Sequence, residues 1–418
     1  HVYERSEHVG GRARVFQHGK HSYEAGASII HEKNQYLWDF ADEFQLQKLS
    51  PPAMRLWLHN GRSKVFEASE TKFIAVLQLL WRYGWGPFKM DQWVQGFLRK
   101  FEAIYTLQEE SKAFTSPRRL LEACDRAFPP MLSETLRERL ESDGFGQQMV
   151  EELVEGMVRI NYGQGLDVGA FVGAVALCGF VGPLWAVKGG NHLLAEKLLK
   201  SASAKLIHAK VQEIRAADDR YSIRAHSRDK ELLEDYDLVF LAAPQTPGDI
   251  QITPADKASQ IGRSYQRVFA SFYNSPPRLG KDPAPVILST SQEAEFNSVG
   301  EYDSTTGDDF VLWKAFSKAP LDLEKPGALF PKDSHCETFA WWAYPVYETD
   351  ERKRDIPFCL DGRGLFYCNA IEGTASAMEM AVIGAKNCVL LASNRLKGRT
   401  ADIDSIDSGG AKGPRSKL

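Results

Sequence analysis

The chain opens His1-Val2-Tyr3-Glu4-Arg5-Ser6 and reaches Val9-Gly10-Gly11-Arg12 within a dozen residues, and this stretch decides how the rest is read. His1 to Tyr3 read as the end of a short strand, with Glu4 at its tip. In a dinucleotide-binding βαβ unit such an acid accepts the ribose hydroxyls, about 20 residues beyond a G-x-G-x-x-G phosphate loop. That loop does not precede Glu4, so the expectation is that a first strand, Gly-rich turn and first helix, roughly 30 residues, belong ahead of His1. Gly10 and Gly11 allow close backbone approach to a ligand. Arg12 offers a guanidinium suited to phosphate. Arg14-Val15-Phe16 and His21-Ser22-Tyr23-Glu24 read as a hairpin about Gly19-Lys20, leading into Gly26-Ala27-Ser28 and His31.

This order is how flavoproteins of the amine-oxidase and phytoene-desaturase type wrap FAD, so Glu4, Arg5, Gly10, Gly11, Arg12, Gly26, Ala27 and Ser28 are the candidate cofactor residues. The expected fold class is α/β: an FAD-binding Rossmann-like domain lacking its first βα unit, with an inserted antiparallel sheet and a helical substrate region. Residues 1–50 form its first part, and 51–183 a helical pocket region that includes strands at Arg55–His59 and Ser63–Phe66. An aromatic helical stretch, 71–108, follows, with further helices over 117–126, 133–142 and 147–160. Residues 184–250 return to the cofactor domain through a helix, His192–Ser201, and strands at Lys205–His208, Lys210–Arg215, 220–226 and Leu238–Pro244. Strands at 263–275, 285–290 and 309–317 place a substrate sheet in 251–360. A strand, Gly364–Glu372, and a helix, Ser376–Asn387, close the cofactor domain over 361–397, and 398–418 reads as a disordered tail. In FAD-wrapping folds the backbone at Val211 lies against the adenine and the strand carrying Ala243 runs beneath the cofactor. Glu372 at a strand tip suits a ribityl hydroxyl. The helix start at Met378 and Glu379 suits the electron-accepting edge of a flavin.

Across 418 residues, 51 Lys and Arg against 55 Asp and Glu leave a net charge of 51 − 55 = −4. That balance argues against a nucleic-acid partner. Six cysteines without a CxxC pair or a Cys/His cluster argue against a metal site and a disulfide scaffold. Val168–Val187 holds no charged residue for twenty positions, but Gly169, Gly173, Gly179, Gly182 and Pro183 interrupt it. It reads as the wall of an apolar cavity rather than a membrane span, with Phe171, Val175 and Trp185 as candidate pocket residues. The aromatics from Trp81 to Phe88 suit the mouth of a lipid-accepting tunnel or a membrane-touching lip.

Together these blocks resemble the prenylcysteine oxidase and farnesylcysteine lyase family. The likeness rests on Tyr3-Glu4-Arg5 with Val9–Arg12, Tyr23–His31, Arg159-Ile160-Asn161-Tyr162-Gly163-Gln164, Phe171–Val175, Leu184–Val187, Gly189-Gly190-Asn191, Ala340–Pro345 and Tyr367–Asn387. Lys188 departs from it, standing where the family usually carries an acid. The resemblance implies an FAD-dependent oxidase that cleaves prenylcysteine with water and O2. Hydride leaves the carbon beside sulfur for the flavin, water adds, and the hemithioacetal collapses to cysteine and a prenyl aldehyde, with hydrogen peroxide as the second product. Flavin takes the hydride, so no strong protein base is required. For the cysteine end the candidates are His31, Asn161, Tyr162, Gln164 and Lys188. A lysosomal, vacuolar or secretory address follows from the family alone. Two alternatives stay open: a non-catalytic prenyl-binding form, and another FAD amine oxidase or isoprenoid desaturase.

Overall fold

The computed structural model describes residues 1–50, 55–228, 230–245, 249–254, 261–280, 282–305, 311–347, 349 and 355–405. The first segment holds strands β1 (Val2–Glu4), β2 (Val15–His18), β3 (His21–Glu24) and β4 (Ile30–His31), helix α1 (Gln35–Glu43) and β5 (Lys48–Leu49). The hairpin turns where expected, with Val15 opposite Glu24 and His18 opposite His21.

Strands β6 (Leu56–His59) and β7 (Lys64–Glu67) precede a helical layer. The aromatic helical stretch 71–108 forms three helices: α2 (Lys72–Tyr83), α3 (Gly86–Phe101) and α4 (Ala103–Glu109). Gly84, at φ +59°, ends α2, and Pro87 sits in the first turn of α3. Helices α5 (Pro117–Cys124), α6 (Leu136–Ser142), α7 (Gln147–Met149), α8 (Glu155–Tyr162) and α9 (Ala170–Leu177) follow, with a π turn over Val150–Val154. Thr135 and Glu138 close a capping box at the start of α6. The uncharged run divides into α9, a 3-10 turn at Cys178–Phe180 and strand β8 (Leu184–Val187). Eight helical residues rise about 12 Å, far short of a bilayer core, and no helix among the described residues is long and apolar enough to cross a membrane.

Next come α10 (His192–Ser201), β9 (Leu206–His208), β10 (Lys210–Ala217), β11 (Arg220–Ser227), β12 (Lys230–Tyr236), β13 (Val239–Leu241) and β14 (Gln251–Thr253). The strand expected over Leu238–Pro244 is only β13. Strand β1 pairs in parallel with β9, setting Glu4 beside His208, and β8 lies between β4 and β5.

Strands β15 (Tyr265–Tyr273), β16 (Val286–Ser289), β17 (Ser298–Asp303), β18 (Val311–Ser317) and β19 (His335–Pro345) build the second layer. The seven-stranded order is β19-β15-β18-β17-β16-β6-β7, antiparallel except where β16 runs parallel to β6. The sheet therefore takes strands from both the 51–183 and the 251–360 segments. Two corrections concern the C-terminal part. The strand expected to run to Glu372 is only β20 (Leu365–Tyr367), parallel to β13, and a 3-10 turn follows over Cys368–Gly373. Helix α11 (Met378–Leu396) then runs nine residues past the expected end. Of the tail, Ile403 bridges Ala113, while 406–418 lie outside the described residues. The main core joins α3 to α9, α11 and β20. In it Phe97, Phe128 and Phe171 meet with ring centroids 5.2 to 5.4 Å apart.

Candidate functional site

One cavity of about 2460 Å³ runs from the tips of β1, β9 and β10 to the inner ends of α3 and α8 and the faces of β16 and β17. It gathers Glu4, Arg5, Gly10, Gly11, Arg12, Gly26, Ala27, Ser28, Val211, Ala243, Met378 and Glu379 from distant parts of the sequence. His31, Asn161, Tyr162, Val175 and Trp185 line it too. Glu4 accepts the Ser6 N–H at 2.7 Å.

Two glycines are fixed by geometry. Gly10 has φ +114°, which side chains avoid, and a Cβ there would stand 2.6 Å from the Ala13 carbonyl oxygen. A Cβ on Gly26 would stand 1.8 Å from the Arg12 carbonyl oxygen, where neither backbone can yield.

Several buried polar atoms in the wall have no protein partner: Glu24 Oε2, Trp185 Nε1, His192 Nδ1, Thr305 Oγ1, and Arg159 Nε and Nη1. Buried donors and acceptors are costly unless satisfied. A large wall with both signs of orphaned group, glycine backbone and an acid at a strand tip fits a polar, extended nucleotide cofactor, and the apolar end fits a hydrophobic chain.

Four expected site residues stand outside this wall. Lys188 is exposed, its N–H held by the Gln47 carbonyl, so its charge faces away. Gln164 clamps the end of β19, donating to the Pro345 carbonyl at 2.9 Å and accepting from the Tyr347 N–H at 2.9 Å. Phe171 belongs to the core described above, not the pocket. Glu372 pairs with Arg12 and accepts from the Tyr265 hydroxyl at 2.8 Å.

Other placements narrow roles. Arg12 also donates to the Ala343 carbonyl at 2.6 Å, so its guanidinium is anchored from behind. Burial opposes its charge, but the Glu372 carboxylate outweighs burial and holds it protonated. Glu379 reaches the wall but caps α1, taking the N–H groups of Tyr36 at 2.9 Å and Leu37 at 3.1 Å and the Tyr105 hydroxyl at 2.8 Å. Its carboxylate is thus engaged within the protein, while the helix start at Met378 and Glu379 stays on the cavity wall. His31 uses both ring nitrogens, Nε2 on the Val181 carbonyl and Nδ1 on the Lys33 N–H at 3.0 Å, and is no free base. Asn161 ties α8 to α9 through the Met157 and Ala176 carbonyls. Tyr162 donates to the Ser376 carbonyl at 3.1 Å.

Lys314, missed in the sequence, lies fully buried behind Ser28. Its Nζ donates to the Glu24 carbonyl at 2.9 Å and Ser28 Oγ at 3.0 Å, over the Tyr302 ring. Burial depresses the amine to about 7 against the pull of Glu24. Burial raises the Glu24 carboxyl to about 7 against the Asn191 N–H and Lys314. No periodicity marks such a pair.

The layered α/β core with this cavity defines the class as a Rossmann-like nucleotide-binding fold. Residues 1–44 match the NAD(P)-binding Rossmann-like domain. Among solved structures, putrescine oxidase bound to putrescine superposes with a TM-score of 0.61 at 12% identity, covering 94% of this chain and 93% of that one. The CLA-producing fatty acid isomerase from P. acnes gives 0.61 at 14% identity, covering 93% and 91%.

The prenylcysteine lyase family model matches residues 66–405. Prenylcysteine oxidase 1 of Homo sapiens is 33% identical over 441 residues, spanning 96% of this chain and 85% of that protein. Its counterpart in Mus musculus is 31% identical, spanning 97% and 86%. The chain belongs to the prenylcysteine lyase family. That membership favours the thioether reading over the amine-oxidase and desaturase alternatives.

Proposed function

We propose that this protein is an FAD-dependent prenylcysteine oxidase, cleaving the thioether with water and O2 to give cysteine, a prenyl aldehyde and hydrogen peroxide. The observation that carries the reading is a single cavity that joins the strand tips of a Rossmann-like domain to an apolar wall. FAD, when bound, supplies the hydride acceptor. Glu4 would take the ribose hydroxyls, and the backbone at Gly10, Gly11 and Gly26 would let the cofactor approach. Arg12, held by Glu372, would offer its remaining face to phosphate. Val211, Ala243 and the start of α11 at Met378 complete that end. Val175 and Trp185, with Phe97 and Phe101, offer the isoprenoid an apolar surface. Fully burying a fifteen-carbon chain is worth at most roughly 12 kcal/mol at about 0.8 for each carbon. Excluding water there lets the chain position the carbon beside sulfur.

Peripheral membrane contact fits the same reading. Helix α2 has no buried residue, and Phe73, Trp81 and Trp85 are 70%, 89% and 77% exposed. A lipid-derived substrate and an interfacial aromatic ridge belong together. Family membership supports a lysosomal or vacuolar address. Purified protein with added FAD should release peroxide, farnesal and cysteine from farnesylcysteine. A flavin-loaded protein that leaves farnesylcysteine intact would overturn the proposal.

A further inference from the structure

A cavity in which O2 is reduced to peroxide exposes the sulfur atoms of its own wall to that product. All six cysteines of the chain are free thiols. Two of them, Cys178 and Cys368, line the cavity.

Cys368 does not stand alone. It opens the 3-10 turn after β20, and its thiol is hydrogen-bonded to that of Cys388 on α11. The backbone fixes this meeting. A Cβ on Gly384 would stand 2.7 Å from the Cys368 carbonyl oxygen, so α11 lies directly against the turn. Cys388, one helical turn further on, shares that face. Its Sγ also reaches the Phe358 carbonyl at 4.0 Å, and the same carbonyl takes the N–H of Tyr367, the residue before Cys368, at 2.8 Å. Cys388 is 0% exposed and Cys368 8%. The Cys388 thiol donates to the Cys368 sulfur, which lowers the Cys368 thiol and raises that of Cys388. Cys368 thus combines a place on the cavity wall with a neighbour that favours its thiolate. The nearby Cys359 is occupied differently, its sulfur accepting from the Arg395 guanidinium at 2.8 Å. Cys178 donates to the Ala174 carbonyl at 3.3 Å, and burial pushes its thiol up to about 12.

We propose that Cys368 and Cys388 are a dithiol that hydrogen peroxide oxidises to a disulfide, tying α11 to the turn beside the cavity. The Cys368 sulfur attacks one peroxide oxygen, the O–O bond breaks, water leaves, and a sulfenic acid remains. The Cys388 sulfur then displaces the hydroxyl as a second water and forms the S–S bond. Two thiols and one H2O2 become one disulfide and two waters, the thiol protons leaving in the water. The oxidant is the product of the proposed oxidase reaction, so the inference rests on that reading for its source of peroxide. Cys388 holds oxidation at a reversible stage, whereas Cys368 without it would pass on to sulfinic acid.

The test treats the full chain, reduced and freed of reductant, with a small excess of hydrogen peroxide, then counts thiols in denaturant and maps the linked peptides. Free thiols should fall from six to four (6 − 2 = 4), with Cys368 joined to Cys388, and dithiothreitol should restore all six. In Cys388→Ser no link should form, and Cys368 should carry sulfenic acid, trapped by dimedone, or sulfinic acid. Cys178, on the same wall without a thiol donor, should stay reduced in both proteins and serves as the internal control. Six thiols surviving in the wild type, a link through Cys178 or Cys359, or equal oxidation of Cys178 and Cys368 would overturn the assignment. Added peroxide makes these outcomes independent of turnover. The same link should appear when the flavin-loaded protein consumes farnesylcysteine in air. A link that forms with added peroxide but never with farnesylcysteine would strike the oxidase reading instead.

Discussion

Replacing Lys314 by Met tests whether the buried amine behind Ser28 is held against its preference for charge. The amine falls from 10.5 to about 7 on folding. The difference, 10.5 − 7 = 3.5 decades of proton affinity, is on the order of 5 kcal/mol. The residue is 1% exposed, so solvent screens little of this. A depressed amine contributes stability that is present above its ordinary 10.5 and lost as pH falls through about 7. Less than half of that loss has occurred by pH 9, and most of the rest, roughly 3 kcal/mol, follows by pH 6. Glu24, raised from 4.5 to about 7, works in the opposite sense, adding stability below 4.5 that is lost as pH rises through 7. The wild-type curve alone therefore mixes two trends; the difference between wild type and Lys314→Met reports the amine together with the further rise of Glu24 once that cation is gone, which acts in the same sense. Met also forfeits the bonds to Glu24 and Ser28, an offset independent of pH. Urea unfolding should show the wild type losing about 2–3 kcal/mol relative to Lys314→Met between pH 9 and pH 6. Parallel stability curves over that range would refute the argument.

Arg12→Ala should weaken flavin retention more than Lys188→Ala, read from the absorbance that survives gel filtration; equal retention would remove Arg12 from the phosphate end. Glu379→Ala should cost about 2–4 kcal/mol, because two α1 N–H groups and the Tyr105 hydroxyl lose their acceptor, and thermal unfolding would register it. Trp81→Ser with Trp85→Ser should reduce co-sedimentation with phospholipid vesicles while leaving unfolding unchanged, since both rings are exposed. Undiminished vesicle binding would place the lipid contact elsewhere.

Local pattern carried much of this architecture. The Gly19-Lys20 turn, the α10 helix and the β10–β11 strands follow from turn residues and alternation, which act over a few residues. Glu4, Gly10, Gly11 and Gly26, grouped by the order of acid, paired glycines and hairpin, all line one cavity. What escaped was set by partners far apart in the chain. Glu379 reads as an acid at a helix start, but the N-terminus of α1, some 340 residues earlier, docks against it. Glu372 reads as a strand tip, yet a 3-10 turn carries it to Arg12. Arg159 lies in a polar block at a helix end and Lys314 in a strand, and only three-dimensional packing shows that both charges are buried. The α2 aromatics have helical spacing that normally signals a core, and the fold leaves that face bare.

The most direct measurement is a single experiment on the purified protein: load it with FAD, record the bound-flavin spectrum, and mix it anaerobically with farnesylcysteine. Bleaching of the visible band, with farnesal and cysteine appearing in step, is the predicted result. A tightly held flavin whose colour survives farnesylcysteine unchanged would contradict it.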